Sequence, residues 1–201
     1  MSDGLAGLPT PAHRERIRQR RNYLEDQFTR ILPRGGPLVL EIGCGHGHFL
    51  AAYSASHPEE TCIGVDIEIA RIRRAEKKQE RSGLAHLHFL RADARDFLAT
   101  MPPGACISAA YILFPDPWPK RRHHKNRLLE PSFLHALAQR AGQGTRLYFR
   151  TDFEPYFDEA AGVIAAHPRW HRLPDQPWPF EEPTVFQRKA TAHRSLIAER
   201  A

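Results

Sequence analysis

Three prolines interrupt the chain directly after an apolar run, and this junction restricts the fold more than any other stretch. Residues 107–114 are apolar enough for a buried strand and too few for a core helix. The prolines stand at 115, 117 and 119, where they exclude helix and strand pairing, so a rigid loop begins there. Because parallel α/β sheets hold their chemistry where strands end, Asp116 is predicted to be a carboxylate fixed at such an edge.

A dense basic run follows the prolines. Five cationic side chains and two histidines fall between Lys120 and Arg127. Next to a fixed carboxylate, such a run favours an acidic polymer delivered to a preformed pocket. The alternative is a stiff turn followed by a solvated basic helix start, because charge runs are commonly just exposed.

Composition narrows the class of protein. The chain has 201 residues, enough for one domain with a sizeable core, and its net charge of +6 favours a nucleic acid or another polyanion as partner. The sequence has neither an apolar run long enough to span a membrane nor the apolar core of a secretory signal. Three cysteines without a CxxC pair are typical of reduced, buried thiols. We therefore expect a cytoplasmic protein with no membrane partner.

The first 33 residues are predicted to form a basic N-terminal arm and helix, followed by a domain over residues 34–201. Five arginines between Arg14 and Arg21 would point all around a helix, which suits an exposed basic segment. A modest apolar face is expected to dock it; its residues are Tyr23, Leu24, Phe28, Ile31 and Leu32.

A strand, a glycine-rich turn and a helix follow, which together make a nucleotide-type binding element. The predicted strand is 38–42, the turn holds Gly43, Gly45 and Gly47, and the helix begins at His48. The spacing is GxGxG and not the GxGxxG of dinucleotide sites. Glu41, just before the turn, would repel phosphate but suits the ammonium group of S-adenosylmethionine. A tight turn without a ligand is the alternative.

Two further acids end the next two predicted strands. Asp66 follows strand 61–65 and is placed for ribose hydroxyls, whereas Asp93 follows strand 86–90 and could accept the adenine amino group. Either acid could instead cap the helix that follows it. Strands and helices alternate up to a fifth strand at 146–150, which predicts a parallel sheet with right-handed crossovers.

The stretches Leu40–Gly45 and Phe114–Lys120, with Asp66 and Arg122-His123-His124-Lys125, resemble the bacterial tRNA (guanine-N7)-methyltransferase family. The resemblance covers roughly residues 38–197; the central motif is highly specific, whereas the glycine turn is shared by class I methyltransferases. It implies an α/β, Rossmann-like class I methyltransferase fold. Such a fold has a seven-stranded, mostly parallel sheet with an antiparallel strand near one edge and helices on both faces.

The resemblance further implies methyl transfer from S-adenosylmethionine to a variable-loop guanosine of tRNA. The cofactor site would comprise Glu41, Asp66, Asp93 and Asp116, with Gly43 and Gly45 from the turn. The substrate site would comprise Lys120, Asp152, Thr184 and Gln187, the last in place of a glutamate in the family. The basic run is expected to hold tRNA phosphates through Arg122, His123, His124, Lys125 and Arg127.

The chemistry suits this expectation. Guanine N7 carries a lone pair and no proton, so its methylation needs positioning and electrostatics and no general base. Asp116 is the predicted catalytic residue because its carboxylate suits the positive charge that develops on the base. Trp118 is interpreted as a core plug, with base stacking as the alternative. No metal is expected, because no second ligand pair accompanies His123 and His124.

Two other functions stay open on the sequence alone. One is methyl transfer to another RNA site or to a small molecule, and the other is an inactive RNA-binding protein on the same fold. The assembly is expected to be a monomer or a homodimer.

Overall fold

The computed structural model describes residues 11–182 and 192–201 of the chain. Its helices are α1 (Pro11–Ile31), α2 (His48–Ser56), α3 (Ile69–Ser82), α4 (Ala94–Thr100), α5 (Pro131–Arg140) and α6 (Glu154–Ala165), with a 3₁₀ helix at Arg121–Asn126. Its strands are β1 (Gly36–Ile42), β2 (Cys62–Asp66), β3 (Leu87–Arg91), β4 (Ala105–Leu113), β5 (Ala141–Thr151), β6 (Trp170–Arg172) and β7 (Arg194–Arg200).

The strands form one sheet in the order β3-β2-β1-β4-β5-β7-β6. The first five strands in the chain pair in parallel, and β7 lies antiparallel between β5 and β6. The predicted fold class is confirmed, including the antiparallel strand near one edge. The strand order reverses between β1 and β4, and a ligand of an open α/β sheet binds at such a switch point.

Helices cover both faces of the sheet because strand residues alternate between two apolar clusters. Leu38, Leu40 and Ile42 pack with α1, α4, α5 and α6, whereas Val39 packs with α2 and α3. The segment after β6 also packs on the second face, where Trp178 contacts Tyr148 of β5 and Phe180 contacts Phe49 and Tyr53 of α2. Glu41 lies two residues after Val39 in the same strand, so its side chain points to the same face, toward α2 and α3.

Helix α1 joins the first of these clusters. Leu24 and Phe28 are buried, and the Phe28 ring lies 5.0 Å from the Phe97 ring of α4. Arg20 forms an ion pair with Asp96 of α4 at 3.5 Å. The predicted apolar docking face is thus present apart from Tyr23, which is exposed. The division of the chain at residue 33 stays a prediction.

Helix α5 and strand β5 begin at residues other than those that the sequence predicts. Apolar residues at helical spacing from Leu128 to Arg140 predict a helix there. The helix begins at Pro131, a residue that favours the first turn because it lacks an N–H. The residues before it are held outside the helix, since the Tyr156 hydroxyl accepts hydrogen bonds from the amides of Leu128 and Leu129 at 3.0 and 3.1 Å. Strand β5 begins at Ala141, earlier than the predicted Arg146.

Within residues 11–182 and 192–201, no helix combines the length and apolarity that a membrane crossing requires.

Gly47, the last glycine of the turn, combines a backbone requirement with a packing requirement. Its φ is +67°, and a Cβ there would lie 2.4 Å from Cζ of Phe89 and 3.0 Å from Cβ of Ala75. Gly83, which ends α3, has the same φ of +67°, but a Cβ there would meet no atom of the described residues within 4 Å. The two glycines therefore separate backbone strain from steric overlap.

We predict that Gly83→Ala lowers the free energy of unfolding by about 1–2 kcal/mol, because only the left-handed backbone is strained. Gly47→Ala should cost a further ~1–3 kcal/mol, because Phe89 must also move. Chemical denaturation of both variants measures the difference. Equal losses would show that the ring adapts freely and that close packing does not select glycine at position 47.

Candidate active site

The candidate site lies at the carboxyl ends of β1 and β4. Gly43 and Gly45 have φ values of +74° and +55°, and a Cβ on either would meet no described atom within 4 Å. The turn is held against β2, because the amides of Gly43 and Cys44 donate to the carbonyl of Val65 at 2.8 and 3.0 Å. The glycine turn thus presents bare backbone to open space at the switch point of the sheet.

Glu41 lies beneath this turn and is almost fully buried, with 3% of its surface exposed. Its Oε2 has no hydrogen-bond partner among the described residues. Burial raises the pKa of the Glu41 carboxyl to about 8, against the lowering effect of a hydrogen bond from the Leu50 amide. A buried acid with an unfilled acceptor is suited to a cationic ligand group, such as the ammonium of an amino acid.

Asp66 ties the glycine turn to the second strand. One carboxylate oxygen accepts from the Gly45 amide at 3.0 Å and the other from the Glu68 amide at 2.8 Å. Nη1 of Arg71 lies 3.5 Å from the oxygen that Gly45 contacts. Asp66 itself is 4% exposed. Glu68, not Asp66, is the N-cap residue of α3. A carboxylate oxygen can accept more than one hydrogen bond, so contact with ribose stays a prediction.

Asp93 caps α4, which was one of its two predicted roles. Its side chain accepts from the amides of Arg95 and Asp96 at 2.8 and 3.4 Å. Its contact with adenine is untested and stays a prediction.

The central loop leaves β4 with a strained backbone. Phe114 and Trp118 have φ values of +50° and +44°, which residues other than glycine rarely adopt. Asp116 lies exposed between them, and the amide of Phe114 donates to the carbonyl of Arg150 in β5 at 2.7 Å. Trp118 is only partly buried, and its ring packs edge-on against that of His123, with ring centres 5.8 Å apart. The interpretation of Trp118 as a core plug is therefore wrong.

The predicted contact of Arg127 with RNA is wrong. It is only 2% exposed and therefore unable to reach a phosphate. Its Nε donates to the Pro117 carbonyl at 2.9 Å, its Nη1 pairs with Glu159 of α6, and its guanidinium lies 5.0 Å from the Tyr156 ring centre. Arg127 is thus an internal support for the central loop.

The other predicted RNA contacts lie nearer the surface. Arg122 and Lys125 are exposed, whereas His123 and His124 are partly buried. The ring of His124 lies 3.7 Å from Glu159, and that of His123 accepts from Arg122 at 3.2 Å. Their contact with RNA stays a prediction.

The predicted substrate residues are only partly described. Lys120 and Asp152 are both exposed, Lys120 before the 3₁₀ helix and Asp152 directly after β5. Thr184 and Gln187 lie outside the described residues.

Arg150, at the end of β5, is a site residue that sequence reasoning missed. It is 4% exposed and donates to both carboxylate oxygens of Glu181 at 2.9 and 2.8 Å. Its Nε also donates to the Ser195 hydroxyl at 2.9 Å, and its guanidinium stacks 4.0 Å from the Trp178 ring centre. The segment after β6 is thereby fastened beside Asp152. No spacing in the sequence signals these distant partners.

The architecture described above is that of a class I methyltransferase. The chain superposes on TrmN from Thermus thermophilus with a TM-score of 0.60 and 18% identity, covering 88% of this chain and 48% of that one. It superposes equally on the 16S rRNA methyltransferase KamB, with a TM-score of 0.60, 16% identity, and coverage of 97% and 95%. At these identities the likeness establishes the fold alone.

Sequence comparison identifies the family. The Methyltransf_4 family model, described as "Putative methyltransferase", matches residues 35–199. A tRNA (guanine-N(7)-)-methyltransferase of Thermosynechococcus vestitus is 31% identical over 179 residues, which are 82% of this chain and 84% of the relative. The enzyme of the same name from Alkalilimnicola ehrlichii is 34% identical over 139 residues, 69% of this chain. The chain belongs to the tRNA (guanine-N(7)-)-methyltransferase family.

The alignments differ in how much of each relative they include. The chain spans 59% of the Alkalilimnicola ehrlichii relative and 50% of the Nocardia farcinica relative, which is 39% identical over 135 residues.

We predict unequal stability effects for two arginines of the basic run. Arg127→Ala should lower the free energy of unfolding by about 1–3 kcal/mol, because it removes the donor to Pro117 and leaves a gap above Tyr156. Arg122→Ala, the matched control at an exposed position, should change it by less than about 0.5 kcal/mol. Denaturant titration of the two variants checks this. Similar small losses would mean that Arg127 does not support the loop.

Proposed function

We propose that the protein transfers a methyl group from S-adenosylmethionine to N7 of a guanosine in the variable loop of tRNA. The observation that carries the proposal is the buried, partly unpaired carboxylate of Glu41 beneath an open glycine turn, beside the central loop. The names of the relatives and the central motif shared with the family indicate tRNA guanosine as the substrate.

The described residues fit this methyl donor. Glu41 offers an acceptor for its ammonium group, and the turn at Gly43 and Gly45 leaves room for it against the backbone. Asp66 and Asp93 stand at the next two strand ends, where the ribose and the adenine would lie. The sulfonium of the bound donor makes its methyl carbon electrophilic. What the protein contributes is orientation of the donor and exclusion of water from Glu41.

On the acceptor side, the protein positions the base and stabilises charge. N7 of guanine attacks through a lone pair in the plane of the ring, and no proton is removed. The base gains positive charge as the new bond forms, and the exposed carboxylate of Asp116 would stabilise that charge. Asp152 and Lys120 would contact the nucleotide, and Thr184 and Gln187 stay predicted contacts.

The tRNA would be held by its phosphates. Arg122 and Lys125 are exposed on the 3₁₀ helix directly after the central loop, with His123 and His124 beside them. These groups carry no base-specific information, so they would set the position of the RNA while the site selects the base.

The direct test is incubation of unmodified tRNA with S-adenosylmethionine, followed by mass mapping of methylated nucleosides. We expect 7-methylguanosine in the variable loop with the wild-type protein. Asp116→Ala should slow its formation by about 100-fold or more, since one preorganised electrostatic group is lost. Its tRNA affinity without the donor should stay within about twofold, because phosphate contacts dominate RNA affinity.

Asp26→Ala removes an exposed carboxylate from α1 and serves as the matched control, with a rate near that of wild type. Methylation of a different atom would refute the proposed function. A near wild-type rate for Asp116→Ala would refute only the role given to this carboxylate.

The raised pKa of Glu41 predicts that the stability of the protein depends on pH. Its folded pKa of about 8 exceeds the ordinary value of 4.5, so the folded protein binds this proton more tightly than the unfolded chain does. The stabilisation from this proton is complete below the unfolded pKa and is lost as pH rises through the folded pKa. The wild type should therefore lose stability relative to Glu41→Gln across this window, by at most ~1.4 kcal/mol per pH unit.

Denaturant unfolding of both proteins at several pH values across this window measures the difference. S-adenosylhomocysteine carries the same ammonium group, so it should stabilise the wild type more at the high end of the window than at the low end. It should stabilise Glu41→Gln little at either. A difference that does not change with pH would show that Glu41 is already ionised in the folded protein.

A further inference from the structure

Two cationic side chains of α3 lie against histidines of the glycine turn and the start of α2. Nη1 of Arg74 is 3.3 Å from Nε2 of His46, and Nζ of Lys78 is 2.7 Å from Nδ1 of His48. The two cations are four residues apart, so they share one side of the helix. The two imidazole rings lie edge to face, with centres 6.2 Å apart. We call Arg74 and Lys78 the α3 pair.

The chemistry of these contacts fixes the state of the imidazoles. A guanidinium or an ammonium can only donate, so the ring nitrogen that faces it must carry a lone pair, which a protonated histidine lacks. For His46 the pKa is lowered by desolvation and then by the charges of Arg74, Arg71 and Lys78, against an opposing effect of Asp66. His46 and His48 thus act as uncharged acceptors that orient the α3 pair.

An uncharged acceptor has a consequence that a carboxylate would not have. Elsewhere in the described chain, arginines commonly pair with acids, as Arg95 does with Glu130 at 2.7 Å, and such pairing neutralises their charge. An imidazole orients the cation and leaves its charge available to a polyanion. Glu182 and then Glu41 are the acids that act on Lys78, and Asp66 lies against Arg71. The imidazoles therefore fix the direction of the α3 pair without cancelling its charge.

The α3 pair is placed on the opposite side of the candidate site from the basic run. The 3₁₀ helix contacts α6 through His124 and Glu159, and α6 packs on one face of the sheet. Helix α3 packs on the other face through Ile72 and Ala75. The glycine turn and the central loop lie between them, at the carboxyl edge of the strands. An RNA that brings a base to this edge would cross both faces.

We infer that the α3 pair is a second phosphate-binding surface for tRNA, facing the one on the 3₁₀ helix across the site. The inference rests on the proposed function. Arg74 supplies planar donors that match phosphate oxygens, and Lys78 supplies a point charge. The shared chemistry is recognition of an anion, which could also be the carboxylate of the methyl donor, and the experiment separates these two sources.

The test compares Arg74→Gln/Lys78→Gln with Arg73→Gln/Lys77→Gln, which removes the same charge from exposed positions one residue away on the same helix. Binding of an unmodified tRNA transcript is measured over a range of salt concentrations. The first variant should lower the log–log salt slope by about 1.4–1.8, the value for two phosphate contacts, and weaken binding at low salt by at least about tenfold. The second should cause less than half of that change.

Calorimetry with S-adenosylhomocysteine identifies the anion and confirms folding. Both double variants should bind it within about threefold of wild type. If the first variant loses this affinity by tenfold or more while its salt slope is unchanged, the anion is the donor carboxylate and the inference is overturned. Equal salt slopes for the two variants, with wild-type methylation intact, overturn the inference alone. Absence of tRNA binding or methylation by the wild type overturns the proposed function and this inference with it.

Discussion

The burial of Glu41 is the constraint on which the site depends. Leu40 and Ile42, its neighbours in β1, enter one apolar layer, so the alternation of the strand sends Glu41 toward the other, beneath α2. No register of β1 keeps these two residues in the core and also places the carboxylate in water. The acid is therefore desolvated, and burial raises its pKa to about 8. The strand that builds the core therefore also carries the proposed cofactor contact.

Two buried guanidinium groups fix the segments that carry Asp116 and Asp152. Arg127 joins the central loop to α6, and Arg150 joins the end of β5 to the segment after β6 and to β7. Each uses several donors in different directions and also packs against an aromatic ring, which a lysine ammonium could not reproduce. Because the groups are held by both hydrogen bonds and packing, Asp116 and Asp152 are presented from anchored backbone even though the segments carrying them are irregular.

Much of this arrangement could be predicted from sequence, because it depends on local pattern. Apolar runs, glycine spacing and strand-ending acids predicted the sheet, the turn and the edge where the site lies. What could not be predicted depends on contacts between distant residues. Nothing in the basic run distinguishes Arg127 from Arg122, since the distinction is made by Glu159, 32 residues further along the chain. The burial of Arg150 likewise depends on Trp178 and Glu181, and the partial exposure of Trp118 depends on where the loop turns.

The four acids at the strand ends differ in environment, and these differences suit the separate roles proposed for them. Glu41 is desolvated and suits the ammonium group of the donor, Asp66 and Asp93 are engaged by backbone amides, and Asp116 is exposed where charge would develop on the base. An edge so rich in acids repels a phosphate backbone. On the proposed function, cations on both faces of the sheet offset that repulsion by drawing the backbone to either side. The base alone, which carries no phosphate charge, would then enter the acidic centre between them.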